Sequence, residues 1–155
     1  MKRDLKFEVT YSHPIEKVWR AITDSRAIEA WLMPNDFEPR VGHKFQFRSK
    51  PQPGWNGISD CEVLEVSPPH RLVYTWRGGP IDTLLTITLE KVQDGTLLRL
   101  VHSGFRGFKA LLVSLVMGGG WKGIVHRGIP AVLARLDDNG NLRPAASNGG
   151  AKQCA

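Results

Sequence analysis

The sequence predicts an α+β domain in two layers, with a curved antiparallel sheet of about six or seven strands wrapped on one long C-terminal helix. Three features lead there. Period-two segments separated by turn residues fill the middle of the chain. Two short helical segments follow the first strand. A wide apolar stripe at helical spacing comes last. The 155 residues, at 17.3 kDa, suit one domain, and a domain of that size buries roughly 70% of the surface its unfolded chain exposes. With 41% hydrophobic and 23% charged residues, the composition is that of a globular protein. Residues 1–138 read as a single domain. Residues 139–155 are small, polar and Gly-rich, and read as a disordered tail.

Leu5, Phe7, Val9 and Tyr11 point one way and Lys6, Glu8 and Thr10 the other, which makes the first strand half-buried. Pro14 suits a first helical turn, where its missing N–H costs nothing. Ile15, Val18, Trp19 and Ile22 then recur at helical spacing. Asp24 is placed to cap a second helix carrying Ala27, Ile28, Trp31 and Leu32, and Pro34 stops it. Phe45 and Phe47 open the run of strands. Ile58–Val66, Leu72–Arg77, Thr83–Val92 and Thr96–Ser103 follow, joined by short turns as an antiparallel meander. Asp94-Gly95 predicts a type I′ hairpin. Their inward faces carry Leu72, Tyr74 and Trp76; Leu85, Ile87 and Leu89; and Leu98, Leu100 and His102.

Gly118-Gly119-Gly120 reads as a breaker before the main helix. From Trp121 the apolar residues Ile124, Val125, Ile129, Val132, Leu133 and Leu136, with Gly128, recur at steps of three and one. Pro130 removes the bond to the His126 carbonyl and predicts a distortion there. Asn139-Gly140 ends the helix. The run Phe108–Met117 reads as a buried turn packed under that helix. Its functional alternatives are a lid, a dimer contact or a membrane-touching surface.

The net charge of +6 and a pI near 9.6 would suit an anionic partner. The cations are scattered, however, so nucleic acid is not expected. Cys61 and Cys154 cannot form a disulfide scaffold, which favours a reducing, cytoplasmic setting. The N-terminus lacks the solid apolar stretch of a signal peptide. No continuous apolar run is long enough for a membrane span.

A stripe this wide should lie across the concave sheet face, with a ligand cavity between the layers. The chain resembles the SRPBCC helix-grip superfamily of START lipid-transfer domains and birch-pollen-type allergens. Within it, the similarity is to the branch of activator of heat-shock-protein-90 ATPase homologues. Val18-Trp19-Arg20-Ala21-Ile22-Thr23-Asp24, Trp31, Pro68-Pro69-His70-Arg71-Leu72-Val73-Tyr74-Thr75-Trp76, Gly95–Phe105 and Gly120-Trp121 carry the resemblance. It implies a helix-grip fold. The function it suggests is binding of a small hydrophobic or aromatic ligand, lipid-like or polyketide-like. Trp31, Phe45, Tyr74, Trp76, Ile87, Leu100, His102, Met117 and Trp121 are the expected lining, and each reads equally as plain core. The alternatives are an enzyme resembling the cyclases, aromatases or hydrolases of this fold, and a co-chaperone-like interaction domain.

No catalytic motif or metal-ligand spacing occurs, so no cofactor or metal is expected and the chain reads as a binding protein rather than an enzyme. The candidates for acid–base work are His102, Glu62 and Tyr74. His102 otherwise reads as a hydrogen-bonded histidine at the sheet edge. Asp60 and Glu62 share one strand face, which is solvated if it is the outer one. Cys61 reads as a small core residue. Trp55, in the loop Gly54–Gly57, caps a pocket mouth or packs on the sheet edge. A monomer or a homodimer fits equally.

Overall fold

The structure is a computed structural model and describes residues 2–144. Strand β1 (Lys2–Tyr11) leads into helices α1 (Ile15–Thr23) and α2 (Ser25–Trp31). Strands β2 (Lys44–Arg48), β3 (Ile58–Ser67), β4 (Arg71–Gly78), β5 (Ile81–Val92) and β6 (Gly95–Arg106) follow. Helix α3 (Phe108–Gly123) continues through a π-helical turn, Ile124–Gly128, into α4 (Ile129–Arg135). The sheet has six strands in the order β1-β6-β5-β4-β3-β2, all antiparallel. Consecutive strands from β2 to β6 form the expected meander, and β1 closes the far edge against β6.

Asp24 caps α2 as expected, its carboxylate accepting from the Arg26 N–H at 2.8 Å. Pro14 sits at the N-cap of α1, one position before the first turn, where its carbonyl accepts from the Lys17 and Val18 N–H groups. The inward residues named above for β4, β5 and β6 are all buried, while in β1 Phe7 and Val9 are half-buried.

The β5–β6 hairpin forms, but not through a type I′ turn. Val92 pairs with Gly95, so the turn residues are Gln93 and Asp94. Neither has positive φ; only Gly95 does, at 150°. A Cβ on Gly95 would collide with the Tyr11 carbonyl of the neighbouring strand. Gly95→Ala is therefore expected to cost about 2–3 kcal/mol through strain and the forced shift of β1, measurable by urea unfolding.

The largest correction concerns the last helix. The three glycines do not break it, and 108–135 run as one helix of 28 residues. Tertiary packing overrides the roughly 1 kcal/mol that each glycine costs relative to alanine. The Phe108–Met117 segment is thus not a buried turn beneath the main helix but its first half. By length and composition the whole helix could cross a membrane. Its second half instead covers the sheet, with Trp121, Val125, Ile129, Val132 and Leu133 buried. The distortion expected at Pro130 takes the form of the π-turn. The Ile129 N–H reaches back five residues to the Ile124 carbonyl, and Pro130, in the first turn of α4, has no N–H to give His126.

The helix ends at Arg135 rather than at Asn139-Gly140. Asp137 then organises a turn by accepting from the Asn139 and Asn141 N–H groups at 2.9 and 2.8 Å. Leu142 bridges to Leu136 and packs on the core. Of the tail read as disordered, 139–144 are described and 145–155 lie outside the described residues.

Candidate functional site

The concave face of the sheet meets the helix in an aromatic layer. Phe47 stacks on Trp76 at 4.8 Å, and Trp76 meets Trp121 at 6.0 Å, with Trp31 a further 6.4 Å beyond Trp121. Phe45 and Tyr74 lie 5.1 Å apart. The sequence-predicted lining residues do converge here. Trp31, Phe45, Tyr74, Trp76, Ile87, Leu100, His102 and Trp121 are all buried, and Met117 is half-buried against the same cluster. They fill the space themselves. Neither of the two best-formed clefts opens inside the layer. Where the cavity is expected, the rings that would line it are in contact with one another.

His102 is the polar centre of that interface. Its Nδ1 accepts from the Trp121 indole N–H at 3.0 Å. That bond fixes the neutral tautomer with the proton on Nε2, which donates to Thr83 Oγ1 at 2.7 Å. The Thr83 hydroxyl then donates to the Trp76 carbonyl at 3.0 Å. The four groups form a one-way relay linking helix, β6, β5 and β4. Burial pushes the His102 pKa down to about 3. The geometry agrees, since a proton on Nδ1 would face another donor. With both nitrogens engaged, His102 has no free lone pair to serve as a general base.

Two residues of this centre lie outside the expected lining. Thr83 lies opposite Trp76 and shares the period-two face of Leu85 and Ile87, so the pattern contained it. Phe105 is buried three residues after His102, not two, and its ring lies 4.8 Å from the imidazole. An irregularity in the β1–β6 register accounts for this. Arg3 pairs with Phe105 and Leu5 with His102, leaving an extra residue in β6 beside Gly104, whose φ is 96°. The Gly104 N–H donates to Asp4 at 3.0 Å. Phe37, packed edge-on against Phe45 at 5.1 Å, comes from an irregular loop with no periodic signal.

The catalytic trio is not assembled. Glu62 lies on the outer sheet face, alternating with inward Cys61 and Val63, whereas Tyr74 and His102 face inward. Asp60 is exposed on the same outer face, where it accepts from Gln46 at 2.8 Å. That face holds a shallow cleft of about 360 Å³ lined by Asp36, Lys44, Gln46, Glu62 and Arg77 among others. Arg99 is also on the outer face, paired to Glu8 at 2.7 Å and Glu90 at 3.1 Å. Cys61 is buried in the core cluster, and burial raises its thiol pKa, which makes it a poor nucleophile. Trp55 donates to the Ile58 carbonyl at 2.8 Å and packs beside Gly78 and Gly79 at the β4–β5 turn. It therefore sits at the sheet edge.

A second cleft opens where the edge strand meets the distorted helix. It measures about 270 Å³. Val9, Tyr11, Val125, Pro130 and Leu133 give it an apolar floor, and Ser12, His13 and His126 a polar rim. The π-turn positions this floor, because the Tyr11 hydroxyl donates to the Val125 carbonyl at 2.6 Å. Burial and the charge of Lys17 lower the His13 pKa, favouring the neutral ring at the rim. Val125 and Leu133 also belong to the core cluster, so the cleft is continuous with the helix face that seals the aromatic layer.

The family model described as activator of Hsp90 ATPase homolog 1-like protein matches residues 12–134. The chain belongs to this family. A solved protein from Mesorhizobium loti is 38% identical with a TM-score of 0.79, the match covering 87% of this chain and 99% of that one. A Bacillus halodurans protein is 32% identical with a TM-score of 0.68, covering 81% and 94%. The Aha1 protein of Colwellia psychrerythraea, described as a dimer, is 18% identical with a TM-score of 0.67, covering 80% and 91%, and supports the fold alone. No protein with a curated description matches the chain. The helix-grip architecture is therefore established for this member of the family.

Proposed function

We propose that this protein binds a small hydrophobic or aromatic ligand between the edge of the sheet and the C-terminal helix, entering through the cleft at β1 and the π-turn. The observation that carries the reading is that cleft. It has an apolar floor and a sparse polar rim, the chemistry of a small-ligand site, and lies where the helix has lost its regular hydrogen bonding. Its 270 Å³ is just below the range of about 300–1,000 Å³ common for ligand sites. A compact ring or short acyl chain fits as it stands. Anything larger requires the helix to shift and the aromatic layer to open. We place this function in the cytoplasm, in keeping with the buried thiol of Cys61.

The test is native mass spectrometry of the purified protein, followed by quenching of its tryptophans with fatty acids and aromatic compounds. A co-purifying small molecule or saturable quenching is expected. Val9 is half-buried at the cleft, so Val9→Trp should fill it and weaken binding about tenfold or more, while changing stability by only about 1 kcal/mol. Absence of bound species and of saturable quenching, or binding unaffected by Val9→Trp, contradicts the proposal. Glu62→Gln should leave both binding and stability unchanged, because its side chain is on the other face of the sheet.

A further inference from the structure

The first half of α3 turns a row of large side chains outward, with Phe108 75%, Leu112 50%, Leu115 58% and Val116 77% exposed, while Val113 and Met117 are partly buried against the core. Ala110 and Ser114 face the sheet. The exposed residues lie four, seven and eight positions along from the first, so they form one ridge on a single helix face. Scattered apolar residues on a surface are ordinary, but a contiguous ridge of four marks a contact.

The charge around this ridge identifies the contact. There is no Asp or Glu anywhere between Asp94 and Asp137. Arg106 and Lys109 lie at one end of the ridge and Lys122 and Arg127 at the other, all exposed. Among the described residues none of these four is in an ion pair. From Phe108 to Lys122 the helix spans roughly 21 Å at 1.5 Å per residue, and Lys122 follows Leu115 by two turns on the same face. Two such ridges placed against each other would bring eight cations together with no carboxylate from either helix between them. An anionic lipid surface accepts the apolar side chains and neutralises the cations.

We propose that this ridge is a docking surface for an anionic membrane interface, with α3 lying in the plane of the headgroups. The helix does not span, because its continuation through α4 is held on the sheet by Trp121, Val125, Ile129 and Leu133. The proposal is independent of the cleft, and either can fail without the other.

The test is co-sedimentation of the full chain with vesicles of phosphatidylcholine alone and of phosphatidylcholine mixed with phosphatidylglycerol. Binding to the mixed vesicles is expected, weakening at high salt. The double variant Leu112→Asp/Val116→Asp should reduce it about tenfold or more. Lys109→Glu/Lys122→Glu should reduce it by about fivefold per cation and leave binding to neutral vesicles unchanged. Because these positions are exposed, the variants should keep the wild-type melting curve and the tryptophan quenching. Three results would overturn the proposal: no binding to anionic vesicles, equal binding to both kinds, or binding that the variants leave intact. A wild-type dimer in light scattering that Val116→Asp converts to monomer would overturn it too, by assigning the ridge to a second copy.

Discussion

Trp121→Ala is expected to cost about 3–5 kcal/mol, the range for removing a buried large aromatic side chain, and to lower the melting temperature by about 10–15 °C for a domain of this size. Trp121 is 2% exposed and contacts Trp31, Trp76 and His102 at once. Truncation empties the centre of the layer and also removes the indole donor at His102 Nδ1, leaving a buried acceptor without it. Trp121→Phe separates the two effects. It keeps most of the ring volume but loses the N–H, and should cost about 1–3 kcal/mol. Thermal melts of the two variants side by side check this. Equal melting temperatures for wild type and Trp121→Phe would mean that the relay contributes nothing to stability.

The second large effect is acid sensitivity from His102. In the unfolded chain its imidazole binds a proton below a pH of about 6.5; in the folded protein burial delays that to about 3. Between these values the unfolded state binds more protons, so stability falls as pH falls. Above the unfolded pKa the residue contributes no pH dependence. The slope approaches about 1.4 kcal/mol per pH unit inside the window, giving a loss on the order of 3 kcal/mol by pH 4. Asp24 and Asp137, whose carboxyl pKa values are lowered, add losses of the same sign at still lower pH. His102→Gln isolates the histidine. The variant should be less stable at pH 7 yet lose less than wild type on acidification, as read by urea unfolding at pH 7 and pH 4.5. Parallel losses in both proteins would contradict a neutral, proton-excluding His102.

What could be read beforehand was whatever repeats. The period-two faces of β4, β5 and β6 placed Tyr74, Trp76, Leu85, Ile87, Leu100 and His102 inward, and the helical stripe from Trp121 identified the covering face. Phe105 was hidden because one extra residue at Gly104 shifts the phase of β6, which no alternation count reveals. The three glycines looked like an end because local propensity disfavours them, whereas burial of Ala110, Ser114 and Trp121 around them carries the helix through. Pattern also shows which side chains face inward without showing how closely their rings pack; Phe47 and Trp76, and Phe45 and Tyr74, are in ring contact. The face of Glu62 stays open in the sequence because the side of the sheet that meets the helix is a tertiary fact, absent from the strand itself; the structure places it outside.

Amide resonances at the cleft test the ligand reading most directly. In a titration with a fatty acid or a small aromatic compound followed by ¹H–¹⁵N correlation spectra, the Val9, Tyr11, Val125 and His126 amides, which line the cleft, should shift and saturate. The indole N–H of Trp55, held at the far hairpin edge, should stay in place. Unmoved cleft signals at saturating compound, or a shift confined to Trp55, would contradict a ligand seated between sheet and helix.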